Sequence, residues 1–334
     1  MPTNVSPEYK KAEAAYRAAR EPAERLTHLR EMLRTIPKHK GTEHLQGDIK
    51  SRIKDLTEEL GVGRKAGTRT GPELVIHPEG AGQVALLGPP NCGKSALHER
   101  LTGAHSTVGP YPFTTQYPGP GMLEHRDASI QLVDLPAISP EHEVPWIANA
   151  LQPADGSLLV IDLSHPGCLV EVVQLHDVLA GRKVSLTADW SGADGEDDDP
   201  FGVWMPTVIV ATKADLIEEP EAELDVFREL TGYDYPTLIV SSVTGEGIDS
   251  IGPWLCDHLG VVRVYTKIPG QVIDEGKPYT VRRGQTVHDV ALLVHRDIAA
   301  SLNYARVWGE GSFDGQQVGR DHVVRDGDVI ELHT

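Results

Sequence analysis

A segment of eight residues has the glycine spacing of a phosphate-binding loop. It fits the pattern G-x-x-x-x-G-K-[ST] and consists of Gly88, Pro89, Pro90, Asn91, Cys92, Gly93, Lys94 and Ser95. The loop follows an apolar, strand-like run and opens a helix-like segment at Ala96. Because glycines let backbone N–H groups point inward and a helix N-terminus favours negative charge, the segment is predicted to bind phosphates. Lys94 would place a positive charge at the β and γ phosphates, and the hydroxyl of Ser95 would ligate magnesium.

Three further polar groups each follow an apolar, strand-like run. The first is Asp134, in the place where a phosphate-loop protein keeps the carboxylate that holds magnesium through water. The other two groups are Thr212, Lys213, Ala214 and Asp215, and Ser241, Ser242 and Val243. These residues are candidates for recognition of a nucleotide base.

The group that ends in Asp215 can distinguish guanine from adenine. Its carboxylate can accept hydrogen bonds from N1–H and N2–H of guanine, a pair that adenine lacks, while the stem of Lys213 lies along the base. Backbone N–H groups of Ser241, Ser242 and Val243 are in position for guanine O6. Taken alone, Lys213 and Asp215 are equally consistent with an ordinary turn at a strand end. Their order after the phosphate loop and Asp134 favours guanine.

Apolar runs rich in Val, Ile and Leu alternate with helix-like segments in the middle of the chain. This alternation predicts an α/β fold, in which a mostly parallel sheet is flanked by helices and the ligand lies at the carboxyl ends of the strands. Residues 189–200 interrupt it with an acidic stretch, predicted to be a solvated surface loop. The runs are Val84–Leu87, Ile130–Val133, Leu158–Ile161, Val208–Val210 and Leu238–Val240.

The region before residue 66 has a helical pattern. Residues 8–36 alternate charged residues with Ala, Leu and Met, with a break near Pro22. Apolar residues then recur three or four positions apart, and Pro37–Gly41 is predicted to be a turn between two helical arms. The resulting helical hairpin either packs on its neighbour, which we favour, or serves as a partner-binding arm. The recurring residues are Leu45, Ile49, Ile53, Leu56 and Leu60.

Short strand-like runs return after residue 262. Together with a helix-like stretch at Val287–His295 they predict a compact α+β unit. The glycine-rich stretch Gly61–Gly82 is predicted to be a linker. The predicted units are therefore residues 1–65, residues 66–262 and residues 263–334.

Charge and composition limit the classes of function. The net charge is −18, whereas residues 1–65 carry 14 Lys and Arg against 10 Asp and Glu. An acidic protein binds nucleic acid poorly without a local site, so any RNA contact is expected to be local. The alternative, that the charge imbalance serves solubility alone, stays equally open. No apolar run approaches the roughly 20 residues of a membrane span, so we predict a cytoplasmic protein without a membrane partner. Three scattered cysteines argue against a disulfide framework.

These residues together resemble the Obg-like GTPases and, among them, the developmentally regulated GTP-binding (DRG) family. Asn91 of the phosphate loop is similar to the first nucleotide motif of that family. Tyr111-Pro112-Phe113-Thr114-Thr115, which ends twenty positions beyond Ser95, is similar to the second. The C-terminal segment is similar to the TGS domain of the family, from Val264 through Tyr304-Ala305-Arg306-Val307-Trp308-Gly309 to Ile330. The charged N-terminal region also resembles the N-terminal region of that family.

The resemblance carries further expectations. It implies that Phe113, Thr114 and Thr115 belong to the first switch, with Thr115 closing on magnesium when GTP is bound. It implies a ubiquitin-like β-grasp fold for the C-terminal unit. It also implies a potassium ion near Asn91 that supplies positive charge during hydrolysis, although a role of Asn91 in shaping the loop stays open. The predicted catalytic residues are Lys94, Thr115 and Asn91, and the predicted metal ligands are Ser95, Thr115 and Asp134.

Three departures from the family pattern are visible. The span from Asp134 to Thr212 is too short for the inserted domain of eukaryotic and archaeal DRG proteins. In the motif Asp134-Leu135-Pro136-Ala137, Ala137 replaces glycine, so a Cβ restricts the backbone freedom of the second switch. Thr212 replaces asparagine, which is expected to remove a polar anchor of its loop.

The leading hypothesis is a magnesium-dependent GTPase that hydrolyses GTP to GDP slowly, with water as the nucleophile. No glutamine follows Ala137. The second hypothesis is an interaction module that hardly hydrolyses and engages RNA, the ribosome or a regulatory protein through the TGS-like unit and the basic hairpin. The third is an ATPase, as in one TGS-carrying Obg-like branch. Aromatic residues of the C-terminal unit are predicted to be core residues rather than stacking platforms: Tyr265, Tyr279, Tyr304 and Trp308.

Overall fold

The structure is a computed structural model of the 334-residue chain. It describes residues 5–19, 22–37, 42–62, 74–104, 117–142, 144–191, 201–268, 278–311 and 313–334. Residues 38–41 of the predicted turn, residues 63–73 of the predicted linker and residues 192–200 of the acidic loop lie outside these ranges. Among the described residues, no helix combines the length and the apolar character needed to cross a bilayer.

The N-terminal region forms helices α1 (Pro7–Ala18), α2 (Pro22–Thr35) and α3 (Glu43–Val62). Pro22 is the first residue of α2, a position where proline fits because the first N–H of a helix has no partner within it. The break predicted near Pro22 therefore separates two helices, α1 and α2, within the first arm of the hairpin. Phe201 of the central unit is buried in the same apolar cluster as Leu29 and Ile49, so these helices pack on their neighbour.

The described residues of the central unit form a seven-stranded sheet. Its order is β2-β3-β1-β4-β6-β5, and β7 pairs with the second half of β6. Only the β2 and β3 pair among these is antiparallel. The strands are β1 (Gly82–Leu87), β2 (Gly119–His125), β3 (Ala128–Asp134), β4 (Gly156–Asp162), β5 (Val184–Thr187), β6 (Val203–Thr212) and β7 (Thr237–Ile239).

Helices cover both faces of this sheet, which explains why its central strands β1 and β4 are buried along their whole length. Val84 and Leu86 of β1 belong to one buried cluster, with residues of α4 and α8, whereas Ala85 and Leu87 belong to the other, with residues of α5, α6 and α7. The predicted α/β fold is confirmed. The helices are α4 (Lys94–Thr102), α5 (Ile147–Leu151), α6 (Cys168–Gly181), α7 (Pro220–Thr231) and α8 (Ile248–His258).

The C-terminal unit is a five-stranded sheet in the described residues, with the order β11-β10-β12-β8-β9. The central strand β12 pairs with β8 in parallel, and the other pairs are antiparallel. Two helices supply apolar residues to its core, so the predicted β-grasp arrangement is confirmed. The elements are β8 (Val261–Thr266), β9 (Tyr279–Arg282), α9 (Val287–Val294), α10 (Arg296–Ser301), β10 (Tyr304–Trp308), β11 (Gln316–Val318) and β12 (Asp328–His333).

An arginine joins the two sheets. Arg282 of β9 donates to the carbonyl oxygen of Leu259 at 2.6 Å and to Oδ2 of Asp155 at 2.9 Å. The same Asp155 oxygen accepts from the backbone N–H of Gln83 at 2.9 Å. The C-terminal unit is thus tied to the start of β1, the strand that leads into the phosphate loop.

Two aromatic residues of β10 lie outside the core. Ala305 and Val307 are fully buried, while Tyr304 and Trp308 project from the opposite face and are partly exposed. Tyr304 stacks on His333 with ring centroids 4.5 Å apart. The expectation that these two aromatics are core residues is therefore wrong, because the helices described in this unit cover the opposite face of the sheet.

Candidate functional site

The predicted site residues within the described ranges gather at one edge of the central sheet. The phosphate loop follows β1, Asp134 ends β3, Thr212 ends β6, and Ser241 lies two residues after β7. Because β1 lies between β3 and β4, and β4 lies next to β6, these strand ends are neighbours. Phe113, Thr114 and Thr115 lie outside the described residues.

The backbone of the phosphate loop turns sharply between β1 and α4, as the glycine spacing predicts. Asn91 and Gly93 have left-handed conformations, with φ of 60° and 92°, and α4 begins directly afterwards at Lys94. A Cβ added to Gly88 would lie 2.6 Å from the carbonyl oxygen of Val160, so only glycine fits there. Burial raises the pKa of the Cys92 thiol to about 11, which keeps it neutral beneath the loop. Pro89 and Pro90 complete the loop, and Ala96 lies in the first turn of α4.

The carboxylate of Asp134 holds the two polar side chains at the start of α4. Lys94 Nζ donates to Asp134 Oδ1 at 2.8 Å, and Ser95 Oγ donates to Oδ2 at 2.6 Å. Lys94 and Asp134 are both more than nine-tenths buried. Hydroxyl and carboxylate oxygens are the ligands that magnesium prefers, so Ser95 and Asp134 fit such an ion. The ammonium of Lys94 lies beside them, where it can serve phosphate oxygens.

Thr212 anchors the loop that follows β6. Its hydroxyl lies 2.6 Å from the carbonyl oxygen of Cys92 and 3.0 Å from that of Ile161. The expectation that replacing asparagine by Thr212 removes a polar anchor is therefore wrong. A threonine side chain is shorter than that of asparagine, but its hydroxyl reaches the carbonyl oxygen of Cys92 because the phosphate loop turns back over the end of β6.

Lys213 spans the site from the base side to the phosphate loop. It has a left-handed backbone with φ of 58°, and its Nζ donates to Oδ2 of Asp162 at 2.6 Å and to the carbonyl oxygen of Asn91 at 3.2 Å. Burial disfavours the charged form of Asp162, but hydrogen bonds from Lys213 and Ser164 outweigh it and lower the pKa of the Asp162 carboxyl. Asp162 is a site residue that the sequence reasoning missed, although it ends an apolar strand as Asp134 does.

The carboxylate of Asp215 is held by the loop after β7. Ser241 Oγ donates to Asp215 Oδ1 at 2.5 Å and accepts from the backbone N–H of Val243 at 3.2 Å. The N–H of Ser241 itself donates to the carbonyl oxygen of Glu246 at 2.9 Å. Of the three amides predicted to face guanine O6, only that of Ser242 has no acceptor within the part of the chain that the structure describes. Ala214 lies in a 3₁₀ turn and donates to the carbonyl oxygen of Val240 at 3.2 Å.

The segment after Asp134 is docked on the phosphate loop. Leu135, Pro136 and Ala137 are buried, and the N–H of Ile138 donates to the carbonyl oxygen of Gly88 at 3.1 Å. Ala137 does not have a positive φ, so its Cβ causes no backbone strain in this conformation.

Two regions of the chain match family models. Residues 83–187 match a model described as 50S ribosome-binding GTPase, and residues 262–334 match the TGS domain. The first match includes the phosphate loop and Asp134, and the second covers almost the whole C-terminal sheet.

The chain is similar to GTP-binding proteins over nearly its full length. A GTP-binding protein of Halobacterium salinarum is 28% identical over 358 residues, covering 91% of this chain and 96% of the relative. Developmentally-regulated GTP-binding protein 1 of Xenopus laevis is 26% identical over 360 residues, covering 90% of this chain and 96% of the relative. The crystal structure of a GTP binding protein from Pyrococcus horikoshii OT3 has a TM-score of 0.50 and 16% identity, covers 75% of this chain and 99% of that chain, and shows a shared fold.

The anchoring role of Thr212 predicts a stability loss for Thr212→Val. Valine has the same shape but leaves the carbonyl oxygen of Cys92 without this donor, so the free energy of unfolding should fall by about 1–3 kcal/mol in a urea titration. Thr212→Ser keeps the hydroxyl and is the matched control. Equal stability of the Val and Ser variants would contradict the anchoring role.

Proposed function

We propose that this chain is a member of the developmentally regulated GTP-binding (DRG) family, that it binds GTP and GDP with magnesium, and that it hydrolyses GTP slowly. The observation that carries the proposal is the hydrogen bond between Ser241 and Asp215. It fixes a carboxylate at the same sheet edge as the phosphate loop.

Base recognition would depend on three groups. Asp215 Oδ2, whose partner oxygen Oδ1 is taken by Ser241, leaves acceptor capacity for N1–H and N2–H of guanine. The N–H of Ser242 would donate to guanine O6. Lys213, stretched between Asp162 and the loop carbonyl of Asn91, would lay its aliphatic stem along the base. Adenine offers no matching pair of N–H donors to Asp215.

Hydrolysis would rest on positive charge and positioning rather than on a covalent intermediate. Loop amides and Lys94 would stabilise the charge that develops on the γ-phosphate oxygens, and water would attack the phosphorus. Magnesium, held through Ser95, Asp134 and the predicted ligand Thr115, supplies further positive charge to the β and γ phosphates when bound. Because isoleucine follows Ala137 where a water-orienting glutamine would help, we propose slow turnover.

Asn91 is the residue that would recruit potassium. Its left-handed backbone places it at the exposed tip of the phosphate loop. A side-chain carbonyl oxygen there is a suitable ligand for a monovalent cation next to the phosphates. The competing role, shaping the loop, depends on the backbone conformation alone.

Asn91→Gly separates these two roles because glycine keeps the left-handed backbone and removes the side chain. Single-turnover GTP hydrolysis by the wild type should be about tenfold or more faster in potassium chloride than in sodium chloride, and the variant should lose this difference. GDP affinity of the variant is the control for an intact loop. Identical wild-type rates in the two salts would remove the potassium proposal.

Asp215→Asn tests the choice of base. Replacing the carboxylate should weaken GTP binding by at least about tenfold, since a hydrogen bond to a charged group is worth about 1.5–3 kcal/mol. The amide can instead pair with N1–H and the C2 carbonyl of xanthine, so affinity for xanthosine triphosphate should rise. Asp234→Asn, at an exposed carboxylate, is the matched control. Equal affinities of the wild type for GTP and ATP would favour an ATPase instead.

A second candidate function is an interaction module for RNA or the ribosome, and the outer face of the C-terminal sheet favours it. Tyr304, Arg306 and Trp308 follow one another along this face of β10. Lys267 Nζ lies 4.0 Å from the centroid of the Trp308 ring, and Lys267 is also paired with Glu331. Partly exposed aromatic rings beside cationic groups are suited to stacking on unpaired bases. The resemblance to the family also leads us to propose a regulatory protein that binds through the TGS domain and the N-terminal helices.

Arg306→Glu tests this surface. Reversing the charge should lower co-sedimentation with ribosomes at low salt by at least about fivefold, equivalent to about 1 kcal/mol, and raising the salt should weaken the wild-type interaction. Arg296→Glu on α10 makes the same change on an exposed residue of the same unit. Absence of co-sedimentation at both salt concentrations, or equal loss in both variants, would count against the module.

We also propose the division into residues 1–65, 66–262 and 263–334, together with a cytoplasmic location. The division is supported by a distinct apolar cluster in each of the three regions, although Phe201 of the central unit belongs to the N-terminal cluster and β8 of the third sheet already begins at Val261.

A further inference from the structure

Asp162 ends β4, the strand that lies between β1 and β6 in the sheet. It is 8% exposed, and both of its carboxylate oxygens accept hydrogen bonds. Oδ2 accepts from Lys213 Nζ at 2.6 Å, while Oδ1 accepts from Oγ of Ser164 at 2.6 Å and from its backbone N–H at 3.0 Å. One oxygen therefore holds the loop after β4, and the other holds the lysine of the loop after β6.

The contact with Asp162 is the stronger of the two contacts that hold the ammonium of Lys213. The other acceptor is the carbonyl oxygen of Asn91, at the longer distance of 3.2 Å. A hydrogen bond between two charged groups is shorter and stronger than one to a neutral carbonyl. Burial alone would raise the pKa of the Asp162 carboxyl, but its hydrogen bonds lower it, so the carboxylate is charged at neutral pH. Asp162 is therefore the main anchor of Lys213.

The backbone of Lys213 depends on such an anchor. Its φ of 58° is in the left-handed region, which a residue with a Cβ rarely adopts. A strained conformation of this kind persists only where surrounding contacts hold it. Here the contacts are made by the far end of the side chain, with Asp162 and with the phosphate loop. The aliphatic stem is consequently drawn from the end of β6 across the end of β4.

We propose that Asp162 is a positioning residue for base recognition, which fixes the stem of Lys213 as the apolar surface against which the base of a bound nucleotide lies. The inference rests on the proposed function and extends it to a residue that does not itself touch the nucleotide. The stem contacts the face of the base, whereas Asp215 contacts its edge. Asp162 thus raises the affinity for purine nucleotides in general, and the selection of guanine stays with Asp215.

The experiment is an equilibrium titration of the full chain with GDP and with inosine diphosphate, in the presence of magnesium. Asp162→Asn keeps the shape of the side chain but removes its charge, and Lys213→Met keeps most of the stem but removes the ammonium. Each substitution should weaken GDP binding by at least about fivefold, because a hydrogen bond between charged groups is lost. Asp257→Asn, at an exposed carboxylate paired with Arg283, is the matched control and should leave the affinity unchanged.

Inosine diphosphate separates the face of the base from its edge. Hypoxanthine lacks the 2-amino group of guanine, so the ratio of the GDP and inosine diphosphate affinities reports the contact with Asp215. Asp162→Asn should lower both affinities by the same factor and leave this ratio unchanged.

The double variant separates positioning from a purely structural role. If Asp162 acts through Lys213, Asp162→Asn should cause no further loss of affinity in the Lys213→Met background. A role confined to holding the loop at Ser164 would persist in that background, and the two losses would multiply. Circular dichroism spectra show whether each variant is folded, and Asp162→Ala repeats the comparison without an amide in the loop.

Three results would overturn the inference while leaving the proposed function intact. They are wild-type GDP affinity in Asp162→Asn and Asp162→Ala, losses that multiply in the double variant, and a changed ratio of the two affinities in Asp162→Asn. Absence of GDP binding by the wild type is a different outcome. It would remove the proposed function, and the inference with it.

Discussion

The carboxylate of Asp134 is the interaction on which the rest of the site depends. It accepts from Lys94 at 2.8 Å and from Ser95 at 2.6 Å, and so connects the end of β3 to the start of α4. A buried ion pair is stabilising only where hydrogen bonds satisfy its charges, and here both carboxylate oxygens are used. Under the proposed function the same three side chains would serve a magnesium ion and phosphate oxygens, so this contact would bring them together before a ligand binds.

Side chains connect the loop after β6 to the phosphate loop, although the two loops are far apart in the sequence. Thr212 reaches the carbonyl oxygen of Cys92, and Lys213 reaches that of Asn91. Arg282 adds a link from the C-terminal sheet to the beginning of β1 through Asp155, and Phe201 adds one from the N-terminal helices to the central unit. The outer units therefore contact the strands and segments that carry the site.

The site was largely predictable because its residues follow apolar runs, and the ends of parallel strands meet at one edge of a sheet. The role of Thr212 was not predictable from the sequence, because its partner Cys92 lies 120 residues away. Their contact depends on how the phosphate loop turns over the end of β6. The strands β2 and β5 were missed because the former has weak apolar content and the latter has only four residues. For Tyr304 and Trp308, alternation shows that they share a face but not which face the helices cover. The roles assigned to Phe113, Thr114 and Thr115 stay predictions.

The most direct test of the central claim is a calorimetric titration with a non-hydrolysable GTP analogue, with and without magnesium, on the wild type and on Asp134→Asn. The account predicts that magnesium raises the wild-type affinity by about tenfold or more and that the variant binds the analogue without this gain, because one oxygen ligand has lost its charge. Absence of binding to the wild type, or the same gain from magnesium in both proteins, would contradict it.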